Sequence, residues 1–401
     1  MPYCEVGREQ GSDDAALNNG VKLFYRTYGH GPIKVLLIIG LAGTHNSWGP
    51  QVRGLTGTDK PNDEEILKFD RSSDGANNGS GGAGVGGIEV CAFDNRGMGR
   101  SSVPTKKSEY TTKIMATDAI ALLDHLGWKR AHVCGHSMGA MIACKFAAIV
   151  PDRVLSLALL NVTGGGFECF PKLGHQTLSI AIRFLRAKTP EQRAAVDLDT
   201  HYTNEYLDEY VGHSTRRTIL YQEYVKCISA TGMQSNSGFD GQVNACWTHK
   251  ITQKEIELIR SAGFLVSIIH GSYDVIAQIY HAKRLAEKLQ PVAKMIELHG
   301  GHLVSHERTE EVNKALLDLI KASEMKLDPH EWTNLTQKSS GNLERGISIG
   351  KTGAEVSFMF AMLEKLHLCL LYLFGLFVLV FGYGRRALRC LKPVRVGASL
   401  T

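Results

Sequence analysis

Hydrophobic positions follow two repeating patterns along most of the chain. Short apolar runs bounded by glycine or polar residues predict strands at residues 35–39, 88–93, 131–134, 155–160, 265–269 and 294–298. Apolar positions at helical spacing predict helices over residues 112–126, 138–150 and 310–322. Residues 21–28 alternate between apolar and polar side chains, which is typical of an early antiparallel strand. Strands and helices that alternate in this order predict an α/β fold with a mostly parallel central sheet flanked by helices.

The strand pattern stops between residues 167 and 259, where helical spacing with many Tyr, His and Arg residues replaces it. Because strands resume afterwards, this block is predicted to be a helical cap inserted into a single α/β core. The core would then consist of residues 19–166 and 260–322. We expect the cap to form a lid over the carboxyl ends of the strands.

A glycine-, serine- and asparagine-rich stretch at residues 72–87 predicts a surface loop, because such a composition cannot bury a core. A phosphate-binding loop is the less favoured interpretation, since the Gly-Lys-Ser/Thr ending of such loops is missing.

Residues 325–350 are polar and contain Gly and Ser, which predicts a linker. After it, residues 366–383 contain one strongly polar side chain, His367. As a helix they would span about 27 Å, close to the thickness of a bilayer's hydrocarbon core. We therefore expect a single transmembrane helix near the C-terminus and a membrane localisation; a helix buried in a soluble core is the alternative.

The net charge of +5 is confined to one end of the chain. Five basic residues and no acidic residue lie in the last 18 positions, and the remainder carries 40 basic and 40 acidic side chains. A neutral body argues against nucleic-acid binding. Basic residues after the predicted helix favour a cytosolic tail, which would place the enzyme domain on the opposite side of the membrane. The first 20 residues lack an apolar signal region, however, and moving a folded domain across a bilayer is harder than moving an 18-residue tail. We therefore favour a tail anchor with a cytosolic enzyme domain.

Nine cysteines are scattered without paired spacings, so neither a zinc site nor a disulfide framework is indicated, and a reducing compartment fits best. No metal or cofactor is predicted.

The sequence Gly135-His136-Ser137-Met138-Gly139 follows a predicted strand and opens a predicted helix. In a nucleophile elbow, the serine lies on a sharp turn that lifts its hydroxyl clear of the sheet, and glycines two residues away on either side relieve crowding. In this context the motif indicates that Ser137 is a nucleophile, and not an ordinary helix-capping serine.

A serine hydroxyl needs a base to take its proton and an acid to orient that base. Asp274 lies just beyond the predicted strand at 265–269, and His302 follows the next strand after two glycines. The order Ser137, Asp274, His302 suits this kind of fold. His299 still belongs to a strand end and His306 is expected to start the final helix, so His302 is the predicted base.

The oxyanion of acyl transfer needs two backbone N–H donors. We expect one from Met138, directly after the nucleophile, and one from Leu41, in the turn after the strand at 35–39.

These motifs together resemble the α/β-hydrolase superfamily. They are Gly40-Leu41-Ala42-Gly43 with Trp48, Asp94-Asn95-Arg96-Gly97-Met98-Gly99-Arg100-Ser101-Ser102, the elbow, Asp274, and Gly301-His302. The resemblance covers residues 19–322 and is greatest to the branch with a helical cap after the sixth strand, which includes esterases, lipases, carbon–carbon bond hydrolases and epoxide hydrolases. The whole chain is similar to plant members of the superfamily.

Two departures from the family pattern bear on function. Ile39 stands where the family often has His before the oxyanion turn, and Ser137 stands where epoxide hydrolases and haloalkane dehalogenases have an Asp nucleophile. The second departure argues against both of those chemistries. In the resemblance, Arg96 and Arg100 belong to a structural turn, and a substrate-carboxylate role is the alternative.

The leading hypothesis is a serine esterase or lipase that acts on a small-molecule or lipid ester. A carbon–carbon bond hydrolase or acyltransferase with the same triad is one alternative. A small-molecule receptor or scaffold with little turnover is another.

Overall fold

The computed structural model describes residues 2–7, 20–64, 87–171, 175–231 and 233–334. Its strands are β1 (Tyr3–Val6), β2 (Val21–Tyr28), β3 (Ile33–Ile38), β4 (Ile88–Phe93), β5 (Ala131–His136), β6 (Val154–Leu160), β7 (Tyr210–Val211), β8 (Ser214–Thr215), β9 (Leu265–Gly271) and β10 (Ala293–Leu298). The predicted loop at 72–87 falls, except for its last residue, outside the described part of the chain.

The helices are α1 (Gly49–Thr56), α2 (Thr112–His125), α3 (Met138–Ile149), α4 (His175–Arg186), α5 (Pro190–His201), α6 (Asn204–Asp208), α7 (Arg216–Thr231), α8 (Asn236–Thr248), α9 (Gln253–Ser261), α10 (Ile279–Lys288), α11 (Val304–Glu307), α12 (Thr309–Glu324) and α13 (Pro329–Asn334). Several begin with a side-chain cap: Thr111 accepts from the Ile114 amide at the start of α2.

Eight strands form one mixed sheet in the order β1-β2-β4-β3-β5-β6-β9-β10. β2 pairs antiparallel with both β1 and β4, and every other neighbouring pair is parallel. The parallel part therefore agrees with the alternating pattern of the sequence. The antiparallel pairs lie at one edge, and β1 had no counterpart in the sequence prediction.

The sheet is buried on both faces. In β3, Leu36 and Ile38 belong to a core shared with α2, α3 and α10, whereas Val35 and Leu37 face a second core with α1 and α12. Successive side chains of a strand point to opposite faces, so a strand between two helical layers must be apolar at every position. This requirement explains the unbroken apolar runs.

Helices α4 to α9 lie between β6 and β9 in the chain. The block that predicted only helices also contains the hairpin β7–β8, whose strands have two residues each. A strand of two residues is too short to show an alternation of apolar and polar side chains. The assignment of residues 167–259 as a separate cap remains a prediction.

Helix α13 lies inside the segment 325–350 that the sequence predicted to be a linker. Its Trp332 is buried, packs on the core of α1 and α12, and donates its ring N–H to the carbonyl of Val266 in β9 (3.1 Å). The core thus extends beyond residue 322, because one large aromatic side chain fixes an otherwise polar stretch to the sheet.

Replacing Trp332 with Ala is expected to lower the free energy of unfolding by about 3–5 kcal/mol, the usual cost of removing a large buried aromatic side chain. Urea denaturation of the purified chain, followed by circular dichroism, measures the change. His330→Ala, in the same helix with an exposed side chain, should stay within about 0.5 kcal/mol of the wild type. Equal midpoints for the two variants would contradict the anchoring role of Trp332.

The prediction of a transmembrane helix needs correction. Within the described ranges, no helix combines the length and the apolar character that crossing a membrane requires. The longest, α7 and α12, have 16 residues, whereas a span takes about 20. Residues 366–383, on which the prediction rested, lie outside those ranges. For the described residues the fold class is therefore an α/β domain, and neither the predicted membrane-spanning helix nor the predicted membrane localisation is retained.

Candidate active site

Ser137 occupies a strained turn between β5 and α3. Its φ and ψ are 55° and −121°, a backbone conformation that residues other than glycine rarely adopt. Its amide donates to the carbonyl of Leu160 in β6 (2.9 Å), and its carbonyl accepts from Ala140 in the first turn of α3 (2.9 Å). These bonds hold the turn in place and leave the Ser137 side chain half-buried at the carboxyl edge of the sheet.

The glycines of the elbow are required by close backbone contacts. A Cβ atom on Gly135 would lie 2.3 Å from the carbonyl oxygen of Gly139, and one on Gly139 would lie 2.0 Å from the carbonyl oxygen of Ile38. Both distances are far below contact range. The strand, the turn and the helix can therefore approach this closely only when positions 135 and 139 carry no side chain.

The structure brings Ser137, His302 and Asp274 into one hydrogen-bonded chain. The hydroxyl of Ser137 lies 3.0 Å from Nε2 of His302, and Nδ1 of His302 lies 2.7 Å from Oδ2 of Asp274. Because an ionised carboxylate can only accept, Nδ1 carries the proton and Nε2 is left to accept from the serine. The three residues follow β5, β10 and β9, three strands whose carboxyl ends share one edge of the sheet.

Asp274 is held as a carboxylate. Its Oδ1 accepts from the amides of Ile276 and Ala277 (2.8 Å each), and its Oδ2 accepts from Nδ2 of Asn161 (2.7 Å). Burial by itself would raise the pKa of Asp274, but His302, then His270 and Asn161, outweigh it and lower this pKa to about 2. The carboxylate therefore stays charged over the whole neutral and mildly acidic range.

The backbone around His302 is fixed by two histidines. Nε2–H of His136 donates to the carbonyl of His302 (2.8 Å), and the amide of Leu303 donates to the carbonyl of His201 (2.9 Å). Burial, reinforced by the nearby His302, lowers the pKa of His136 to about 3, so this ring stays neutral. A buried neutral donor thus positions the histidine that faces Ser137.

The rings of the other two histidines considered as the base, His306 and His299, form hydrogen bonds with residues other than Ser137. Nε2–H of His306 donates to the carbonyl of Ser47 (2.8 Å), and its Nδ1 lies 3.1 Å from the hydroxyl of Tyr202. Nε2 of His299 lies 2.8 Å from the Glu205 carboxylate at the surface. Within the described residues, His302 is the histidine whose ring bonds to Ser137.

The turn after β3 packs directly on the elbow. A Cβ atom on Gly40 would lie 3.0 Å from Cβ of Ser137, and the amide of Gly43 donates to the carbonyl of Gly40 (3.3 Å). Leu41 lies inside this turn, and Met138 is the first residue of α3. In the part of the chain that the structure describes, neither of these two amides donates to a protein acceptor. The arrangement leaves two N–H groups at the two sides of Ser137.

Comparison with known proteins agrees with this geometry. The family model described as alpha/beta hydrolase fold matches residues 34–309. The chain belongs to the α/β-hydrolase family. Membership supports hydrolase activity, as do the names of several relatives.

Three relatives illustrate how far the similarity to this α/β hydrolase extends. The non-heme bromoperoxidase BpoC, as it is named in Mycobacterium tuberculosis H37Rv, is 26% identical over 236 residues, 58% of this chain and 82% of its own. Epoxide hydrolase 3 of Siraitia grosvenorii is 28% identical over 144 residues, 36% of either chain. The crystal structure of the enol-lactonase from Burkholderia xenovorans LB400 matches with a TM-score of 0.55 at 22% identity, covering 76% of this chain and 98% of its own; at that identity it shows the fold alone.

Arg96 and Arg100 have structural partners in this α/β hydrolase. The buried guanidinium of Arg96 donates two bonds to the Asp118 carboxylate (2.6 Å each) and a third to the carbonyl of Glu109 (2.8 Å). The guanidinium of Arg100 lies 4.7 Å from the centre of the Phe24 ring. Both side chains of the turn after β4 therefore bind or pack against core residues.

Two polar residues of this hydrolase were missed by sequence reasoning. Asn161 directly follows β6 and bonds to Asp274, so the rule that polar residues at the carboxyl ends of parallel strands form sites would have found it. Gln242 bonds to the turn after β3, which lies 200 residues away along the chain, and no pattern in the neighbouring sequence predicts that contact. Among the described residues, no cluster of three or more His, Cys, Asp or Glu is arranged to hold a metal ion.

Proposed function

We propose that this chain is a serine hydrolase that cleaves a carboxylic ester, or a related acyl substrate, through an acyl-enzyme. The observation that carries the proposal is the hydrogen-bonded chain of Ser137, His302 and Asp274, in which the serine hydroxyl lies 3.0 Å from an imidazole nitrogen that a buried carboxylate orients. A nucleophile, a base and an orienting acid in this order are what acyl transfer requires.

In the acylation step, Ser137 Oγ attacks the carbonyl carbon of the ester while Nε2 of His302 takes the hydroxyl proton. Asp274 stabilises the resulting imidazolium through the Nδ1–H bond. The carbonyl oxygen becomes an oxyanion and accepts from the amides of Leu41 and Met138. When the tetrahedral intermediate collapses, the carbon–oxygen bond to the alcohol breaks, and His302 returns its proton to the departing oxygen.

Deacylation repeats these steps with water as the nucleophile. His302 takes a proton from water as it attacks the acyl carbon, and the same two amides hold the second oxyanion. The ester bond to Ser137 then breaks, and the proton on His302 passes to Ser137 Oγ. The products are the free acid and the restored serine.

The helical insertion is proposed to cover the site and to select the substrate, a small-molecule or lipid ester. Two contacts support this placement. A Cβ atom on Gly301 would lie 2.7 Å from the carbonyl oxygen of His201 at the end of α5, and the side chain of Gln242 in α8 bonds to the turn after β3. Both contacts lie next to residues of the proposed site, Gly301 beside His302 and Ala42 beside Leu41, which supports the proposal that a substrate passes the insertion on its way to Ser137.

Epoxide opening is not proposed, although an epoxide hydrolase is among the relatives. Those enzymes use an Asp nucleophile in the family pattern, and the elbow of this chain holds Ser137 on the strained turn. A serine ester is a natural acyl-transfer intermediate, whereas an epoxide carbon has no acyl group to transfer.

A fluorophosphonate probe tests the proposal, because it reacts only with serines that are activated as nucleophiles. We expect the purified chain to be labelled, with the adduct located on Ser137 by mass spectrometry of the peptide, and Ser137→Ala to show no labelling. Ser272→Ala is the matched control, since its hydroxyl lies in the same region and bonds to the carbonyl of Leu298 (2.8 Å). An unlabelled but folded wild type, or labelling that survives in Ser137→Ala, would refute the proposal.

A further inference from the structure

Gln242 is a buried carboxamide that joins the helical insertion to the turn after β3. It lies in the middle of α8 and is completely buried. Its Oε1 accepts from the amide of Ala42 (2.9 Å) and from Nε2 of Gln234 (3.0 Å), and its Nε2 donates to the carbonyl of Arg96 (3.0 Å). One side chain therefore connects α8 to the turns that follow both β3 and β4.

The bond to Ala42 falls on a strained residue. Ala42 has a φ of 59°, a left-handed conformation that is unfavourable for a residue with a side chain and persists only when its surroundings enforce it. The oxygen of Gln242 is the acceptor for the amide of this residue. Without that acceptor, a partly buried N–H would lose its protein partner and the turn would be free to relax.

We propose that Gln242 is a positioning residue of the oxyanion hole. Its side chain holds the turn of residues 40–43 in the strained form, and this form aims the amide of the neighbouring Leu41 at the oxygen that becomes charged. The inference rests on the proposed function. Gln242 touches no reacting atom; it acts through Leu41, and it makes α8 a functional part of the site in addition to a cover.

The proposal predicts a specific kinetic signature. The carbonyl oxygen carries little charge in the bound ester and most in the transition state. A misdirected Leu41 amide therefore reduces the stabilisation of the transition state far more than the binding of the substrate. Loss of the Gln242 acceptor should therefore lower kcat and leave KM nearly unchanged. A role in packing alone would instead affect stability, or KM and kcat together.

The test uses Gln242→Leu, which keeps the approximate volume of the side chain and removes its polar atoms. Since deleting one oxyanion donor outright costs about 10²–10³ in kcat, we expect a misaligned donor to cost about 10- to 100-fold, with KM within about 2-fold. The affinity for an alkylboronic acid should fall by a similar factor, because its tetrahedral adduct with Ser137 places an oxygen in the same hole.

Asn244→Leu is the matched control. Asn244 lies on the same helix and also anchors α8 to the core, through bonds to the carbonyls of Lys107 and Tyr110 (3.1 Å each), but it makes no bond to the turn of residues 40–43. We expect its kcat and boronate affinity to stay within about 2-fold of the wild type. Gln242→Glu retains an oxygen for the Ala42 amide and should recover part of the loss seen in Gln242→Leu.

Gln242→Met is measured alongside, in case the branched leucine prevents folding. A folded Leu or Met variant with wild-type kcat would overturn the inference, as would equal losses in Gln242→Leu and Asn244→Leu. If no variant at position 242 folds, the role of Gln242 is structural and the inference is rejected. If the wild type itself neither hydrolyses esters nor reacts with the fluorophosphonate, the proposed function has failed and not this inference alone.

Discussion

Replacing His302 with Ala will lower kcat for hydrolysis of a p-nitrophenyl ester by about 10⁶-fold, because triad members act as a unit and the loss of the base removes almost the whole effect. The serine then keeps its proton, and no other described histidine ring bonds to it. Initial rates with the purified variant, over a range of ester concentrations, measure the change. Circular dichroism of the same sample checks that the fold is intact.

His306→Ala is the control for this prediction. His306 lies four residues further on and is half-buried, and its ring bonds to Ser47 and Tyr202. Its replacement should therefore reduce activity by less than about 10-fold, through packing alone. If His306→Ala abolished turnover while His302→Ala retained it, the identity of the proposed base would be wrong.

The second large effect is expected for Asp274→Asn, which should lower kcat by about 10⁴-fold at neutral pH. A neutral amide cannot stabilise the imidazolium, and its N–H₂ group favours the histidine tautomer that cannot accept from Ser137. Steady-state rates measure the loss. Glu205→Gln serves as the control, since its carboxylate pairs with the exposed His299, and it should retain wild-type kcat.

The low pKa of Asp274 also fixes the sign of a pH effect. Its ordinary value is 3.8 and its native value is about 2, so the charged form stabilises the folded state above pH 3.8, and this contribution is lost as the pH falls toward 2. Asp274→Asn lacks it at every pH. At neutral pH the free energy of unfolding should accordingly be lower in the variant than in the wild type. A decline of wild-type activity at pH 5 cannot come from protonation of Asp274.

The sequence predicted the strands that are buried on two faces and missed shorter elements, among them β1 and α13. β3 and β5 must be apolar at every position, so they appear as continuous runs. β1 contributes four residues to a sheet edge, with Cys4 and Val6 buried and Glu5 exposed, a pattern too short to distinguish from an ordinary loop. Helix α13 was assigned to a linker because its attachment depends on a single side chain, Trp332.

The candidate site shows the same division between local and distant signals. Ser137 could be proposed from its neighbours, since the elbow requires glycine at two fixed spacings. Asp274 and His302 could be proposed from strand ends and their order along the chain. The contact of Gln242 with Ala42 depends on how α8 packs, and helical periodicity says which face is apolar but not which loop a polar side chain on that face will meet.

The location of the triad along the chain has a consequence for folding. β10 pairs with β9 alone, at the edge of the sheet, and His302 follows it by four residues. β9 in turn pairs with β6 across the whole helical insertion, with Ser156 opposite Leu265, and closing so long a loop is entropically costly and slow. During synthesis the proposed nucleophile, Ser137, emerges 165 residues before the proposed base, His302. If the proposed triad is catalytic, an incomplete or misfolded chain will carry an unreactive Ser137, and reaction with a fluorophosphonate will report that the native structure is complete.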